Sequence, residues 1–591
     1  MIYSGRPDPA TLARHSSSQP PRRIGPVSTT DPNVAVADLA ERFWEGVLER
    51  DPITATIYGD NRYDDRWPDL GPDGREAERV ALSSALAEAE AIDAEALDVE
   101  SVITRDLLIL ISRNYLEAQD RKLYQLAVNH MSGPQTWPSE IAQYQPADTS
   151  ESLDRMLARF AAFPTLIEQQ IGTLDEGIAD GRTSAAVPVQ KAIEQIDRML
   201  TVPADVAPAV VLANVADESG REAIRGSVAK DIYPALTRLR DYLAETYTPH
   251  AATTPGLGDT PGGHDAYRLA IRMQTTVDAT PEEVHAFGME DLERIEGEKD
   301  EIARRQGHAD RHAFSAALAE DPANRTDDPA HIIDLAREQT DRAYATAPRY
   351  FGRLPAANCT VLAVEEYRER ESAPAFYMPP TMDGSRQGQY YLNTYQPDQR
   401  QLHKIAAITF HEATPGHHFQ IAIEMDLEGL GRFRTLGAKM AGSAYVEGWG
   451  LYTERLADEM GLYQTDAERL GMLDAQSFRA ARLVVDSGLH AMGWTRERAI
   501  EFMHERGSLP MVDAEIEVDR YTIWPGQALS YKMGQREIER ARVDVGKQLG
   551  AEFDLRAFHD EVLGHGSLPL ETLRREIPGW VAAAVRTPTG A

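Results

Sequence analysis

Phe410-His411-Glu412-Ala413-Thr414-Pro415-Gly416-His417-His418-Phe419-Gln420 places three histidines and one carboxylate within eight positions of a chain that has only 16 histidines in 591 residues. Apolar residues lead in (Leu402, Ile405, Ala406, Ile408) and out (Ile421, Ala422, Ile423), so the cluster is expected on buried helix. A hydrophobic helix with His-Glu followed by more His is a layout for metal-assisted hydrolysis. The imidazoles hold a zinc ion and the glutamate, not itself a ligand, works on the water.

The spacing is unusual. In His-Glu-x-x-His the two rings lie four residues apart, about 6 Å along one helix face. Here His417 and His418 follow His411 by six and seven residues, and a regular helix would carry the seventh residue about 10.5 Å away. Pro415 has no N–H to give the carbonyl of His411, and its ring crowds that carbonyl. A proline kink or a bulge is therefore expected here. With two residues absorbed, His411 and His417 become the favoured ligands and His418 the alternative.

Catalytic zinc sites use three protein ligands. The third candidate is Glu447, in Ser443-Ala444-Tyr445-Val446-Glu447-Gly448-Trp449-Gly450-Leu451-Tyr452. The stretch reads as helix despite two glycines, each about 1 kcal/mol worse than alanine, so something is expected to pack against the backbone. Glu454 falls on the same face, and its neighbours Arg455 and Asp458 predict an exposed ion pair for it. Further on, Arg479, Arg482, Asp486 and His490 share one helix face. They predict either a surface salt-bridge stripe or a cleft wall that orients ligands or binds a charged substrate terminus. In the segment from Arg520 to Lys532, Tyr531 first and Tyr521 second are candidates to donate a hydrogen bond to an oxyanion.

Around these motifs the chain reads as mainly α. Helical periodicity covers residues 34–50, 76–91, 102–126, 186–200 and 220–247, and Thr280-Pro281-Glu282-Glu283 is a helix start with a capping box. Short strands are expected at 360–364, 375–378 and 389–393, a small β patch (360–394) directly before the His-Glu helix. The strand at 389–393 is a candidate to pair with an extended substrate. Composition divides the chain into a disordered leader (1–31), an N-terminal helical region (32–255) and a catalytic helical region (256–591), the last two packing as one unit.

The chain has 61 basic and 94 acidic residues, a net charge of −33. Phosphate neutralisation needs Lys and Arg, so nucleic acid and anionic membrane are not expected partners. A single cysteine, Cys359, excludes an intrachain disulfide and a cysteine-based zinc site. The leader has no apolar core of signal-peptide length and no run of 18 apolar residues occurs, so a soluble cytoplasmic protein is expected.

The motifs at His411–His418, Glu447–Tyr452 and Tyr531-Lys532, in that order, resemble the large bacterial family known as domain of unknown function 885. The resemblance implies a large, helical, zincin-like fold with a central channel. It is distantly similar to the oligopeptidase, angiotensin-converting-enzyme and thermostable-carboxypeptidase groups. The expected function is zinc-dependent hydrolysis of peptide or peptide-like amide bonds. One Zn²⁺ per chain is expected, held by His411, His417 and Glu447, with Glu412 expected as general base and Tyr531 as helper. The alternatives are a helical protein with a structural or regulatory metal site, or a hydrolase of non-peptide amides or esters.

Overall fold

The computed structural model describes residues 31–366, 369–370, 372–381, 384 and 386–586. The leader expected at 1–31 falls almost wholly outside them. The protein is mainly α: 71% of it is helical and 4% is strand. Among the described residues no helix is long and apolar enough to cross a membrane.

Many helices begin on the same local signal, an acceptor side chain followed by proline. Asp31-Pro32, Asp51-Pro52 and Asp328-Pro329 each cap a helix whose first residue is the proline. At Thr280 the hydroxyl accepts from the Glu283 amide (3.2 Å) and the Glu283 carboxylate accepts from the Thr280 amide (2.9 Å). This is the predicted capping box, worth about 1 kcal/mol. It opens α1 (Pro281–Arg305).

The site is built on six further helices: α2 (Ile405–Glu412), α3 (His417–Asp426), α4 (Ala444–Glu459), α5 (Asp466–Ala491), α6 (Met511–Ile523) and α7 (Ser530–Leu549). α5 is the axle of this group. Every residue from Ala480 to His490 is buried, because α1 packs along one side and α2, α6 and α7 close the others. The α1 contact depends on Gly288, where a Cβ would lie 2.8 Å from both Leu483 and Val484. Residues 39–111 share one apolar core with residues 257–581, whereas residues 128–247, with Trp67, build a second.

Two small sheets complete the fold. β1 (Pro146–Ala147) pairs in parallel with β2 (Asn214–Val215). The second sheet holds β3 (Cys359–Ala363), β4 (Ala375–Met378) and β5 (Gly388–Leu392) in the order β3-β5-β4. The three expected strands are therefore present within a residue of their predicted bounds. The expected role of the last one is not. β5 pairs in parallel with β3 over its whole length and antiparallel with β4 from Gln389 to Leu392, so both its edges are taken and it cannot accept a substrate strand. Val361, Tyr390 and Leu392 pack on Ile405 and Ala413, seating the sheet against α2.

Candidate metal centre

α2 is enclosed: Ile405, Ala406, Ala407, Thr409 and Phe410 are all buried, which sinks His411 in its last turn below the surface. The helix then stops at Glu412. The structure corrects the expectation of a kinked or bulged continuous helix. Ala413 leaves helical backbone at ψ −112°, the Thr414–Pro415 peptide is cis, Gly416 sits at φ −77° and ψ −129°, and a separate helix starts at His417. The reason is steric. Gly416 turns back over the carbonyl of His411, where a Cβ would lie 1.9 Å from that oxygen. α4 fastens the break on both sides, since Trp449 Nε1 donates to the Pro415 carbonyl (3.0 Å) and Thr453 to the Phe410 carbonyl (3.2 Å).

The break returns His417 to His411. Their rings stand 4.7 Å apart and nearly perpendicular, at 84°. Glu447, in the first turn of α4, faces both: its Oε2 lies 3.7 Å from His411 Nε2 and 3.6 Å from His417 Nε2. One donor atom from each of the three residues falls within 4.8 Å of the others, the only such group of three among the described residues. Donors on a tetrahedral zinc, with bonds of about 2.0–2.1 Å, are about 3.3–3.4 Å apart. The two separations from Glu447 are a few tenths of an ångström from that figure and the third is under 4.8 Å, so the trio can hold a small divalent ion. Two imidazoles and a carboxylate are also the donor chemistry zinc takes in hydrolytic sites.

The backbone of α4 explains the glycines next to Glu447. A Cβ on Gly450 would lie 2.8 Å from His411 Cε1 and 3.0 Å from His417 Cε1. A Cβ on Gly448 would lie 2.4 Å from the Cα of Gly534 on α7. One glycine admits the imidazoles and the other admits a neighbouring helix, as the helix-weakening pair predicted.

The charges support one another. Burial opposes ionisation of Glu447, but the two imidazoles outweigh it and hold the carboxyl well below its usual range. Burial likewise opposes a charged His411, yet Glu447 and Glu454 carry it up to about 9. Glu454 is a correction: it is no exposed ion-pair partner but is 1% exposed, accepting from His411 Nδ1 at 2.9 Å. Arg455 pairs with Glu298 instead, and Asp458 with Arg469. Gln476 donates to the other Glu454 oxygen (2.9 Å) and accepts from Lys532 (2.7 Å), whose ammonium lies 2.8 Å from Asp291. This buried polar line, unforeseen apart from the placement of Glu454 on the Glu447 face, fixes the His411 tautomer with Nε2 toward Glu447. It ends at the wall of a cavity of about 610 Å³ that contains none of the three donors.

His418, the alternative ligand, points away. Its Nδ1 accepts from the Tyr377 hydroxyl (2.9 Å), and its Nε2 contacts the Tyr344 hydroxyl (2.5 Å) and the Ala357 carbonyl (3.1 Å). Burial pushes its pKa down to about 4. Glu412 is half-buried, and no hydrogen bond or ion pair ties it to another described residue. Tyr531 lies with its ring 6.5 Å from that of His411, inclined by 25°. Burial, then the charge of Glu447, raises its pKa, so its hydroxyl keeps its proton. Tyr521 is occupied elsewhere, donating to Glu517 (2.7 Å) and accepting from Arg482 (3.2 Å).

The polar ladder on α5 is not a surface stripe. Arg482, Asp486 and His490 are buried. Asp486 accepts from the Tyr267 hydroxyl (2.5 Å) and the Gly526 amide (3.0 Å). His490 accepts from the Leu257 amide (3.2 Å) and donates to the Tyr521 carbonyl (3.0 Å). These two residues pin loops to α5. Of the ladder, only Arg479 and Arg482 come near the candidate metal donors, through Tyr531.

A family model described as "Bacterial protein of unknown function (DUF885)" matches residues 52–577. The chain belongs to this family. Two solved structures share the fold of this DUF885 chain. One, from Colwellia psychrerythraea, is 26% identical, covers 94% of this chain and 100% of its own, and superposes with a TM-score of 0.85. The other, from Shewanella oneidensis, is 18% identical, covers 91% and 99%, and has a TM-score of 0.75. Both are described as a "putative lipoprotein", the second with the words "of unknown function". No curated protein matches the chain.

Proposed function

We propose that the protein is a zinc-dependent hydrolase of peptide or peptide-like amide bonds, with a zincin-like arrangement of the His-Glu helix and a downstream glutamate on a second helix. One observation carries this reading. An oxygen of Glu447 stands 3.7 and 3.6 Å from the Nε2 atoms of His411 and His417, directly beside a glutamate, Glu412, that no hydrogen bond or ion pair ties to another described residue. A purely structural metal site has no use for Glu412, since a buried or half-buried carboxylate is ordinarily paired.

When bound, zinc supplies Lewis acidity, polarising a carbonyl and acidifying a water. The remaining work belongs to side chains of the chain. Glu412 takes the proton of the attacking water and passes it to the leaving amine, a role worth about 10²–10⁴ in rate. Tyr531, protonated at neutral pH, donates to the oxygen that gains charge, as a phenol preset in a partly water-excluded site does. Glu454 keeps His411 in the tautomer that presents Nε2.

The test is metal analysis joined to a mixed peptide library. We expect one zinc per chain and cleavage that a chelator abolishes. Glu412→Gln is expected to keep its zinc and lose at least 10²-fold in turnover. Full activity in that variant removes Glu412 from the reaction, and stoichiometric zinc with no cleavage of any peptide, amide or ester makes the site structural.

A further inference from the structure

Tyr531 is close both to the candidate metal donors and to a cluster of cations with too few anions. The guanidinium of Arg482 lies 4.5 Å from the centre of the Tyr531 ring and that of Arg479 5.8 Å, while the His411 ring lies 6.5 Å from it. Arg520 is near enough for its charge to act on the same phenol. Against these three cations stands one paired carboxylate, Glu517, which Arg482 holds at 2.8 Å and Arg520 at 3.3 Å. Asp513 feels the charge of Glu517 but forms no ion pair with any of the three.

Arg479 has no carboxylate partner among the described residues. Its hydrogen bonding is a long contact to the Ala475 carbonyl (3.5 Å), and its buried Nε has no acceptor. Arg482 is 4% exposed, and its buried Nη1 also lacks an acceptor. Both guanidiniums stack on aromatic faces, including Phe478 at 4.9 and 4.1 Å. Stacking uses the face of the group; at Arg479 it leaves most of the N–H edge, the part that matches a carboxylate with two parallel bonds, unspent, whereas Arg482 spends Nε and Nη2 on Tyr521 and Glu517 and keeps only Nη1 free. A buried donor without an acceptor destabilises the fold, so its retention here calls for a ligand to satisfy it. In a chain of net charge −33, a cluster of three arginines sharing one carboxylate, with Arg479 unpaired among the described residues, is the reverse of the average surface.

Building on the hydrolase reading, we infer that the centre acts on substrates that carry a carboxylate, received by Arg479 with Arg482 behind it. The spacing through Tyr531 places that carboxylate within roughly two or three extended residues of the bond at the metal, at about 3.3–3.6 Å per residue. A free peptide C-terminus and an acidic side chain near the cleavage point both meet this requirement.

The experiment uses zinc-loaded Glu412→Gln protein, which holds substrate without turning it over, and calorimetric titration with three probes. These are an N-acetylated tetrapeptide with a free C-terminus, its C-terminal amide, and the amide with one glutamate introduced. At least one carboxylate-bearing probe is expected to bind tenfold or more tighter than the plain amide. The free acid being the tight one assigns the C-terminus, and the glutamate peptide assigns a side chain. Arg479→Ala in the same background should reduce that ratio to within twofold of one, and Arg479→Lys should restore part of it. Equal binding of all three probes, or a ratio that survives Arg479→Ala, overturns the inference. Turnover of the same probes by the unsubstituted enzyme separates the two ideas. A binding ratio without hydrolysis sinks the hydrolase reading alone, and hydrolysis without a ratio sinks this one alone.

Discussion

Gly450→Ala places one methyl group where α4 meets both imidazoles. The new carbon would lie 2.8 Å from His411 Cε1, 2.9 Å from His411 Nε2 and 3.0 Å from His417 Cε1. Carbon atoms rest about 3.5–4.0 Å apart, so the rings must retreat by roughly 0.6–1 Å. Metal sites hold their distances to about ±0.2 Å, several times less than that retreat. Global stability should move far less. Alanine in place of a helical glycine gains about 1 kcal/mol and overpacking costs about 1–3 kcal/mol, so the two nearly offset. We therefore expect zinc affinity, measured by competition with a chelating dye, to fall at least 10–100-fold, the range for disturbed ligand support, while Tm shifts by only a few degrees. Gly546→Ala on α7, where an added Cβ meets nothing within 4 Å, is the control and should bind zinc normally. Wild-type zinc affinity in Gly450→Ala would refute the claim that the ion sits between these rings.

Three more outcomes follow from the site and its surroundings. In the metal-free protein His411 stays charged up to about 9, so zinc must displace its proton. Affinity should climb about tenfold per pH unit well below 9 and level off near 9, and calorimetry in buffers of different ionisation enthalpy should show about one proton released per ion at pH 7.5. His418→Ala should keep stoichiometric zinc but lose about 2–4 kcal/mol in denaturant unfolding; loss of zinc with stability intact would make His418 a ligand after all. Burial raises Asp486 to about 7 from 3.8, so the folded state holds an extra proton across that window and loses stability as pH rises through it. Asp486→Asn removes the loss, and its advantage over wild type should grow by roughly 3 kcal/mol between pH 4 and 7. An advantage that shrinks with rising pH would overturn the assignment.

What could be read along the chain was what local chemistry controls. The strand positions, the Thr280 capping box and the mainly α class follow from neighbours in sequence. So does the place of Glu447, because two glycines in one helix demand an external reason. What was misread depended on partners far away in the chain. Glu454 looks like a surface residue beside Arg455 and Asp458 until α5 brings Gln476 against it. The ladder on α5 is open between a salt-bridge stripe and a cleft wall, and only α6 and the loop at Leu257 closing over it remove the stripe. Pro415 announced a disturbance, but its size was set by Gly416 folding onto the His411 carbonyl and by Trp449 catching Pro415 from another helix. The fate of β5 was illegible for the same reason, since strand order is decided by pairing and not by the strand itself.

The meeting of Gly448 with Gly534 has a mechanical meaning. Two main chains rest on each other with no side chain as a cushion, one residue from Glu447 and three from Tyr531. The gap between carboxylate and phenol is thus gauged by bare peptide, which cannot be retuned by choosing a longer or shorter rotamer. Drift elsewhere in the protein can be absorbed by soft repacking, but this joint has a single setting. A lone methyl at either glycine would act as a shim, moving both groups together and leaving no nearby change able to undo it.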